Sequence, residues 1–223
     1  VTDTRLHNGR DPGAVARYTL DGSAEDVWGA NNGTNNGATF VNDSIRGQAG
    51  QFQRSNTDGI DLPNLGISGD QAHTISAWVN FAGSLSQNQT IYAQGSRSTD
   101  NQIDFIYLGN RSQLVASFYN NDLGYTFNPA TDVWYHIATT YDGSIRQLYF
   151  NGEVRASDSP SAPSINNKNY SIGYRGADTD SYLDGKIDDV RIYDRALSPS
   201  EVHQLYQWGT RGIDMRRKLV NKG

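Results

Sequence analysis

Hydrophobic and polar residues alternate with a period of two through the middle of the chain, which is the pattern of strands with one buried face. The clearest case is residues 74–81, where the apolar positions are Ile75, Ala77, Val79 and Phe81. Similar segments, separated by short stretches rich in Asn, Asp and Gly, occur at 103–109, 114–121, 134–143, 145–152, 170–174 and 185–194. Short strands joined by such turns predict an antiparallel sandwich or barrel.

A helix is predicted near the C-terminus. Ser198 is followed by Pro199 and then, three residues after Ser198, by Glu201. This combination is typical of a helix N-terminus, because the Ser and Glu side chains satisfy backbone N–H groups that have no partner within the helix. A short apolar stripe follows, so we expect about two turns that end near Gln207.

The apolar pattern also sets the expected domain limits. One domain is predicted over residues 14–207, with an N-terminal arm at 1–13 and a basic C-terminal tail at 208–223. Four of the last eight residues are Arg or Lys. Such arms suit docking to neighbouring subunits of a larger assembly.

Composition narrows the function classes. The 223 residues include no Cys, which excludes disulfides, Cys-ligated zinc and cysteine nucleophiles. The net charge of −5 argues against nucleic acid as a partner, and no apolar run is long enough to predict a membrane span. Of the 24 acidic residues 21 are Asp, and there are 20 Asn; both residue types favour turns, and their oxygens are common calcium ligands.

Four blocks of the chain, in order, resemble the laminin-G-like domains of the concanavalin A-like lectin/glucanase superfamily. They are residues 16–41, 73–81, 134–154 and 184–206, the last reading DGKIDDVRIYDRALSPSEVHQLY. The resemblance implies an all-β fold, an antiparallel β-jelly-roll sandwich with one short C-terminal helix. It also implies binding of carbohydrate or protein, often with a bound calcium ion, in an extracellular or surface-exposed protein.

Three carboxylates are the candidates for that calcium ion. Asp21 and Asp26 lie in the first loop, and the resemblance places Asp188, on the last strand, close to this loop. Strict alternation puts Asp188 on the same side as Val190 and Ile192, where a carboxylate must be paired or bound to metal. We therefore predict a Ca²⁺ site formed by these three Asp residues and completed by backbone carbonyl groups.

Asp188 has an alternative interpretation without a metal. It could form an ion pair with Arg191 or Arg195, or accept hydrogen bonds from backbone N–H groups. Trp28 lies in the first loop and also has two possible interpretations. It is either an exposed platform for a sugar ring or a lid over the calcium loop.

Carbohydrate binding requires aromatic platforms and planar polar side chains at a groove or rim. Besides Trp28, two tyrosines on adjacent predicted strands and three polar residues in nearby loops meet this description. The candidate glycan-binding residues are Trp28, Tyr107, Tyr119, Arg97, Asn101 and Asn121.

Catalysis is not predicted. Laminarinase-type relatives use two Glu side chains on one face of a strand, whereas Glu25, Glu153 and Glu201 fall in a loop, after a turn and at a helix start. His136, in a Trp-x-His segment, is interpreted as structural. The sequence thus predicts a non-catalytic, calcium-stabilised carbohydrate-binding or adhesion module. The alternatives are a structural component of a virion, filament or cell-surface layer and, third, a polysaccharide hydrolase or lyase.

Overall fold

The computed structural model describes residues 11–96, 98, 102–175 and 181–220, with 211–220 described as backbone alone. These residues form two antiparallel sheets that pack face to face, and one α-helix. In chain order the strands are β1 (Ala14–Tyr18), β2 (Thr34–Asn36), β3 (Thr39–Asp43), β4 (Gly47–Phe52), β5 (Gly59–Leu62), β6 (His73–Phe81), β7 (Gln89–Gly95), β8 (Gln102–Leu108), β9 (Gln113–Ser117), β10 (Asp122–Thr126), β11 (Trp134–Tyr141), β12 (Arg146–Phe150), β13 (Glu153–Asp158), β14 (Tyr170–Ile172) and β15 (Gly185–Tyr193), and helix α1 spans Pro199–Val220. The predicted antiparallel β-sandwich with one C-terminal helix is confirmed.

The strands divide into two sheets whose order differs from their order in the chain. The eight-stranded sheet runs β13-β12-β11-β6-β15-β4-β3, with β1 paired to β15. The seven-stranded sheet runs β10-β9-β8-β7-β14-β5-β2. Three runs of sequential strands, β3–β4, β7–β10 and β11–β13, are neighbours within one sheet. The chain crosses between the sheets at the other connections, as in a jelly roll.

The core lies between the sheets and is built by the predicted alternation. Along β6 the residues Ile75, Ala77, Val79 and Phe81 all join the main core cluster and are fully buried. On the facing sheet, Ile103 and Phe105 of β8 point into the same core. The intervening residues of each strand lie on the outer faces of the sandwich, so these two outer faces carry the polar chemistry.

Helix α1 begins where the sequence predicts. The Ser198 hydroxyl accepts a hydrogen bond from the backbone N–H of Glu201 at 3.3 Å, and the Glu201 carboxylate accepts one from the Ser198 N–H at 2.7 Å. The predicted end near Gln207 is wrong, because the helix continues to Val220 through most of the predicted tail. The arm residues 1–10 and the last residues, 221–223, lie outside the described residues. No helix of the described chain is long and apolar enough to cross a membrane.

The helix continues because the eight-stranded sheet supports it. The ring of Tyr206 stacks on that of Trp78 with centroids 5.8 Å apart. One turn further along the helix, a β-carbon on Gly209 would overlap the Trp78 ring, so a residue without a side chain is required at this approach. The helix therefore covers the outer face of this sheet.

A bulge in β15 corrects the predicted orientation of Asp188. The pairing with β6 shifts register between Asp188 and Arg191, and Asp189 adopts a positive φ of 50°. Asp188 consequently pairs with Trp78 on the outer face of the sheet, whereas Val190 points into the core. Strict alternation fails here because a bulge inserts one extra residue into the strand.

Candidate functional site

Strand register places a continuous row of mostly polar residues across the outer face of the seven-stranded sheet. Each strand contributes one residue, paired with those on the neighbouring strands. We call this set the polar row; from β10 to β2 it is Asp122, Ser117, Asp104, Ala93, Ser171, Asp61 and Thr34. Paired residues point to the same side of a sheet, so these side chains lie on one face. The central members, Asp104, Ala93 and Ser171, are buried, and the Ser171 hydroxyl donates to the carbonyl of Tyr174 at 2.8 Å.

A cleft of about 180 Å³ opens at the β8–β10 end of the polar row. Asp104 and Ser117 of the row lie in its floor together with the apolar Ile106 and Val115. The rim is formed by the turn after β9 and by Arg175, which follows β14. Apolar floor residues beside a few convergent polar groups are the usual composition of a small-ligand site.

A buried ion pair lies in this cleft. Arg175 Nη2 and Asp104 Oδ2 are 3.2 Å apart, and the two side chains are only 10% and 2% exposed. Nearby, the hydroxyl of Thr90, paired with Ile106, is buried and has no hydrogen-bond partner among the residues that the structure describes. Burying two charges costs free energy that the pair regains only in part, and this pair lies at a cleft, which makes it a candidate for ligand contact.

The rim of the cleft is held in an uncommon backbone conformation. Tyr119 and Asn120 have φ angles of 48° and 62° in the tight turn between β9 and β10. The turn is closed by a hydrogen bond from the N–H of Phe118 to the Asn121 carbonyl at 3.0 Å. A positive φ is unusual for a bulky residue such as Tyr and typically stores about 1–3 kcal/mol at ligand sites.

Arg146 on β12 holds this turn in place. Its guanidinium, 1% exposed, donates to the backbone carbonyl and side-chain oxygen of Asn121 at 2.9 and 3.1 Å. The same guanidinium pairs with Asp158 at 2.6 Å and lies 4.5 Å from the ring centre of Phe118. The eight-stranded sheet thus positions the rim of a cleft that belongs to the other sheet.

Burial raises the pKa of a tyrosine at the opposite end of the polar row. Tyr174 has its pKa raised by burial and by the neighbouring carboxylate of Asp61, which accepts its hydrogen bond. The phenol therefore stays protonated, and a donor, at physiological pH.

The structure separates the six predicted glycan-binding residues. Tyr119 lines the cleft, and its role in binding stays a prediction. Asn121 is close by, with its amide oxygen accepting from Arg146. Arg97 and Asn101 lie outside the described residues.

Tyr107 is corrected by the structure. It is 2% exposed and packs in the core against Phe81 and Phe127, with ring centroids 5.4 and 6.4 Å away. Its neighbours in the strand, Ile106 and Leu108, are the residues that face the cleft. The prediction chose the right strand and the wrong face of it. The alternation along β8 carried the signal that would have corrected it, because Ile103, Phe105 and Tyr107 fall on one side.

Trp28 belongs to the other sheet. Its half-buried ring makes an edge contact with Tyr193 at 5.6 Å, and the guanidinium groups of Arg17 and Arg191 lie 5.9 and 5.7 Å from the ring centre. It therefore packs near β1 and β15 of the eight-stranded sheet and does not share a surface with Tyr119.

The three predicted calcium ligands are not brought together as a metal site. Asp26 accepts hydrogen bonds from the backbone N–H groups of Arg17, Trp28 and Asn31 at 2.9–3.2 Å, and Asp21 is exposed. Among the residues that the structure describes, no three His, Asp or Glu side chains are grouped to hold a metal ion.

Asp188 has a partner that neither interpretation named. Its carboxylate pairs with Arg46 at 2.6 Å, rather than with Arg191 or Arg195. Burial raises the pKa of Asp188, and the Arg46 guanidinium opposes that rise. The three Asp residues do not fit a Ca²⁺ ion, because the Asp188 carboxylate is already paired with the Arg46 guanidinium.

Asp189, inside the bulge, is held by two further guanidinium groups. It pairs with Arg17 at 2.7 Å and with Arg191 at 2.8 Å. Burial alone would raise the pKa of Asp189, but these two groups bring it far below its usual range. Sequence reasoning missed Arg46 and Arg17 as partners because each is more than 140 residues away in the chain.

A second cleft, of about 270 Å³, lies in the eight-stranded sheet where β4 and β6 end and β15 begins. Its lining includes Gln51, Asn80, Asp184 and Lys186. The one aromatic residue in this lining, Phe52, is 1% exposed and packs in the core. Its described lining therefore offers no accessible ring for a sugar to stack on, and the cleft of the seven-stranded sheet is the better candidate.

Comparison with known proteins agrees with this architecture. A family model described as the concanavalin A-like lectin/glucanases superfamily matches residues 54–203. No curated protein matches the chain by sequence.

Solved structures share the fold at low sequence identity. Domain 4 of an extracellular arabinanase from Geobacillus stearothermophilus, in complex with arabinotriose, is 22% identical with a TM-score of 0.65, over 86% of this chain and 98% of that one. The binding domain of Paraclostridial Mosquitocidal Protein 1 is 15% identical with a TM-score of 0.65, over 87% of this chain and 52% of that one. The binding domain of botulinum neurotoxin serotype G is 18% identical with a TM-score of 0.62, over 87% and 50%. The chain spans about half the length of these two toxin domains.

Proposed function

Because the chain belongs to the concanavalin A-like lectin/glucanases superfamily, we propose that it is a non-catalytic carbohydrate-binding module that acts outside the cell or at its surface. The cleft of the seven-stranded sheet is its site. The observation that carries this proposal is the buried Asp104–Arg175 pair at a cleft whose rim tyrosine, Tyr119, is held at positive φ.

The chemistry of the cleft suits a neutral sugar. Among the lining residues that the structure describes, two carboxylates, Asp104 and Asp122, are matched by two guanidinium groups, Arg111 and Arg175, so their formal charges balance. Carboxylates accept from sugar hydroxyl groups and guanidinium groups donate to them. The Tyr119 ring and the apolar floor suit the C–H face of a sugar ring.

The size of the cleft sets how much of a ligand it holds. Its volume of about 180 Å³ lies below the ~300–1,000 Å³ of pockets that enclose a drug-sized ligand. That space suits one sugar ring rather than a chain. The arabinanase domain of similar fold was solved with arabinotriose, so arabinose and its oligomers are the first ligands to test.

Binding without cleavage is proposed from the partners of the two carboxylates. Asp104 is held by Arg175. Asp122 accepts from the Ser117 hydroxyl at 2.6 Å and pairs with Arg111 at 3.0 Å. A carboxylate whose oxygens already accept from a guanidinium or hydroxyl group is poorly placed to donate a proton to a leaving group. Incubation of the chain with arabinan, xylan and β-glucan should give no shortened product by chromatography, and release of oligosaccharides would contradict this part of the proposal.

The binding test is a glycan array followed by calorimetry, with Tyr119→Asn as the diagnostic variant. Asn tolerates positive φ better than Tyr, so the variant should keep or slightly raise the melting temperature. It should nevertheless weaken sugar binding at least tenfold, because the ring is lost. Ile145→Asn, at an exposed turn between β11 and β12, is the matched control and should bind like the wild type.

Two results would overturn the proposal. The first is an array on which the wild type binds no neutral glycan. The second is binding that is equally strong in wild type and Tyr119→Asn, which would place the site elsewhere.

Calcium is left out of the proposal because Asp188 and Asp26 already have partners. Melting in Ca²⁺ and in chelator should give the same midpoint. A higher midpoint in Ca²⁺ that disappears in Asp188→Asn would restore the three-Asp site.

A further inference from the structure

Two tyrosines form a parallel pair at the opposite end of the polar row. The rings of Tyr174 and Tyr182 are nearly parallel, at 6°, with centroids 5.4 Å apart, and both side chains are half-buried. Tyr174 donates a hydrogen bond to the carboxylate of Asp61, and Asn36 donates to the other oxygen of the same carboxylate at 2.8 Å. We call these four residues the tyrosine pair site.

The sheet is shaped to receive this pair. Gly59, two residues before Asp61 on β5, lies directly under Tyr174, because a β-carbon there would overlap the ring. The ring therefore packs on strand backbone that carries no side chain. Asp61 and Asn36 are exposed beside it. Aromatic rings flanked by exposed planar acceptors and donors are the groups that recognise sugars.

The tyrosine pair site and the cleft are physically joined. Tyr174 and Arg175 are consecutive residues, yet Tyr174 reaches Asp61 and Arg175 reaches Asp104. Asp61 and Asp104 belong to the same polar row, with β7 and β14 between their strands. Three strand spacings separate them, or about 14 Å, a span greater than one sugar ring fills.

We propose that the tyrosine pair site is a second saccharide subsite, so that the protein binds a chain of sugars laid across the strands rather than a single terminal sugar. This inference rests on the proposed function of the cleft. One sugar occupies the cleft, and a residue further along the chain stacks on the tyrosine pair.

The test is the dependence of affinity on chain length. Linear arabino-, xylo- and gluco-oligosaccharides of one to five units are titrated against the whole chain, by calorimetry or, for weak ligands, by NMR. In the series that binds, the longer oligomers should bind at least tenfold more tightly than the single sugar. Tyr182→Ala should remove this gain and leave the affinity for the single sugar unchanged.

Two further variants identify the cause. Tyr182→Phe keeps the ring and should keep the gain with chain length. Tyr119→Asn should weaken the single sugar and the longer oligomers by the same factor, since both occupy the cleft. Tyr182 is changed rather than Tyr174, because Tyr174 adjoins Arg175 and its loss would also disturb the cleft.

The outcomes separate this inference from the proposed function. If the wild type binds sugar with the same affinity at every length, or if Tyr182→Ala retains the full gain, the second subsite is wrong and the cleft stands. If no sugar of any series binds, the proposed function fails and the second subsite fails with it. Melting temperatures of the Tyr182 variants within a few degrees of the wild type confirm that the change is local.

Discussion

The two outer faces of the sandwich carry the same kinds of residues and use them differently. On the eight-stranded sheet, Arg46 pairs with Asp188 at 2.6 Å and lies 4.4 Å from the ring centre of Trp78. On the seven-stranded sheet, Arg175 pairs with Asp104 at a cleft whose rim carries Tyr119. Both faces therefore combine a buried Asp–Arg pair with aromatic rings.

The difference is what covers each face. Arg46 also donates to the carbonyl of Gly209 in helix α1 at 3.1 Å, so its charge helps to fasten the helix to the sheet. In the part of the chain that the structure describes, no helix lies over the seven-stranded sheet, and its ion pair opens on a cleft. The buried ion pair that fastens the helix is structural, whereas the pair at the cleft is the one that we propose a ligand contacts.

The largest expected effect comes from breaking the covered pair. Arg46→Ala leaves Asp188 buried without its cation and removes the bond to the helix, so the free energy of unfolding should fall by about 3–5 kcal/mol. Urea denaturation measures the loss. Sugar binding by the protein that remains folded should not change. A loss below about 1 kcal/mol would show that the covered face is more hydrated than its 8% and 7% exposed side chains indicate.

The next prediction tests whether water is excluded from the face that helix α1 covers. Burial lowers the pKa of His136, which packs against Trp78, to about 3. The unfolded chain takes up this proton near pH 6.5 and the folded chain does not, so His136 opposes folding by about 1.4 kcal/mol for each pH unit below 6.5.

The matching measurement is stability against pH in His136→Gln. Between pH 6 and pH 4 the free energy of unfolding of the variant should fall less steeply than that of the wild type. The difference in slope should be about 1.4 kcal/mol per pH unit, which corresponds to one proton. His73, whose pKa burial lowers to about 4, should give a similar decrease in slope in His73→Gln. Identical slopes in wild type and His136→Gln would mean that water reaches the ring.

A pair of glycine substitutions contrasts the faces directly. A β-carbon at Gly209 would overlap Trp78, and one at Gly59 would overlap Tyr174. Gly209→Ala should lower the free energy of unfolding by about 1–3 kcal/mol, because Trp78 is covered and cannot move aside. The higher helix propensity of Ala should offset up to about 1 kcal/mol of this loss. Gly59→Ala should change stability by less than about 1 kcal/mol, because the half-buried Tyr174 ring can shift outward.

The effects of the two substitutions on sugar binding should have the opposite order to their effects on stability. Gly59→Ala should reduce the affinity for long oligosaccharides, whereas Gly209→Ala should leave it unchanged in the folded protein. Thermal melting and calorimetry on both variants check the contrast. A Gly59→Ala protein that binds long oligosaccharides like the wild type would count against the tyrosine pair site.

The smallest expected effect is at the rim of the cleft. Arg111 and Asp122 form a pair whose side chains are 56% and 33% exposed. Arg111→Ala should therefore change stability by only about 0–1 kcal/mol, while any contact with a sugar hydroxyl is lost. Calorimetry should show weaker binding with an almost unchanged melting temperature. A large drop in melting temperature would indicate a structural role for Arg111.

Several features could be predicted because they depend on neighbouring residues in the chain. The alternation along β6 correctly placed Ile75 and Val79 in the core, and the Ser198–Glu201 pattern correctly placed the start of α1. The same alternation applied to β8 assigns Tyr107 to the core, since Phe105 has the same orientation. That error came from choosing aromatic residues by type before asking which face they occupy.

Other features depended on contacts that no local pattern contains. The bulge at Asp189 turned Asp188 to the outer face, where its partner Arg46 comes from a distant loop. The polar row is assembled from seven separate strands, and Asp61 becomes relevant only because Tyr174 reaches it. Arg46 and Asp61 were absent from the sequence prediction for this reason.

The amino-acid sequence alone determined the sandwich, its core and the start of its helix, because a period of two and a capping pattern act over a few residues. Only the tertiary structure decided which outer face is covered and which carboxylates are already paired. Those outcomes depend on strand register and on helix docking, which join residues far apart in the chain.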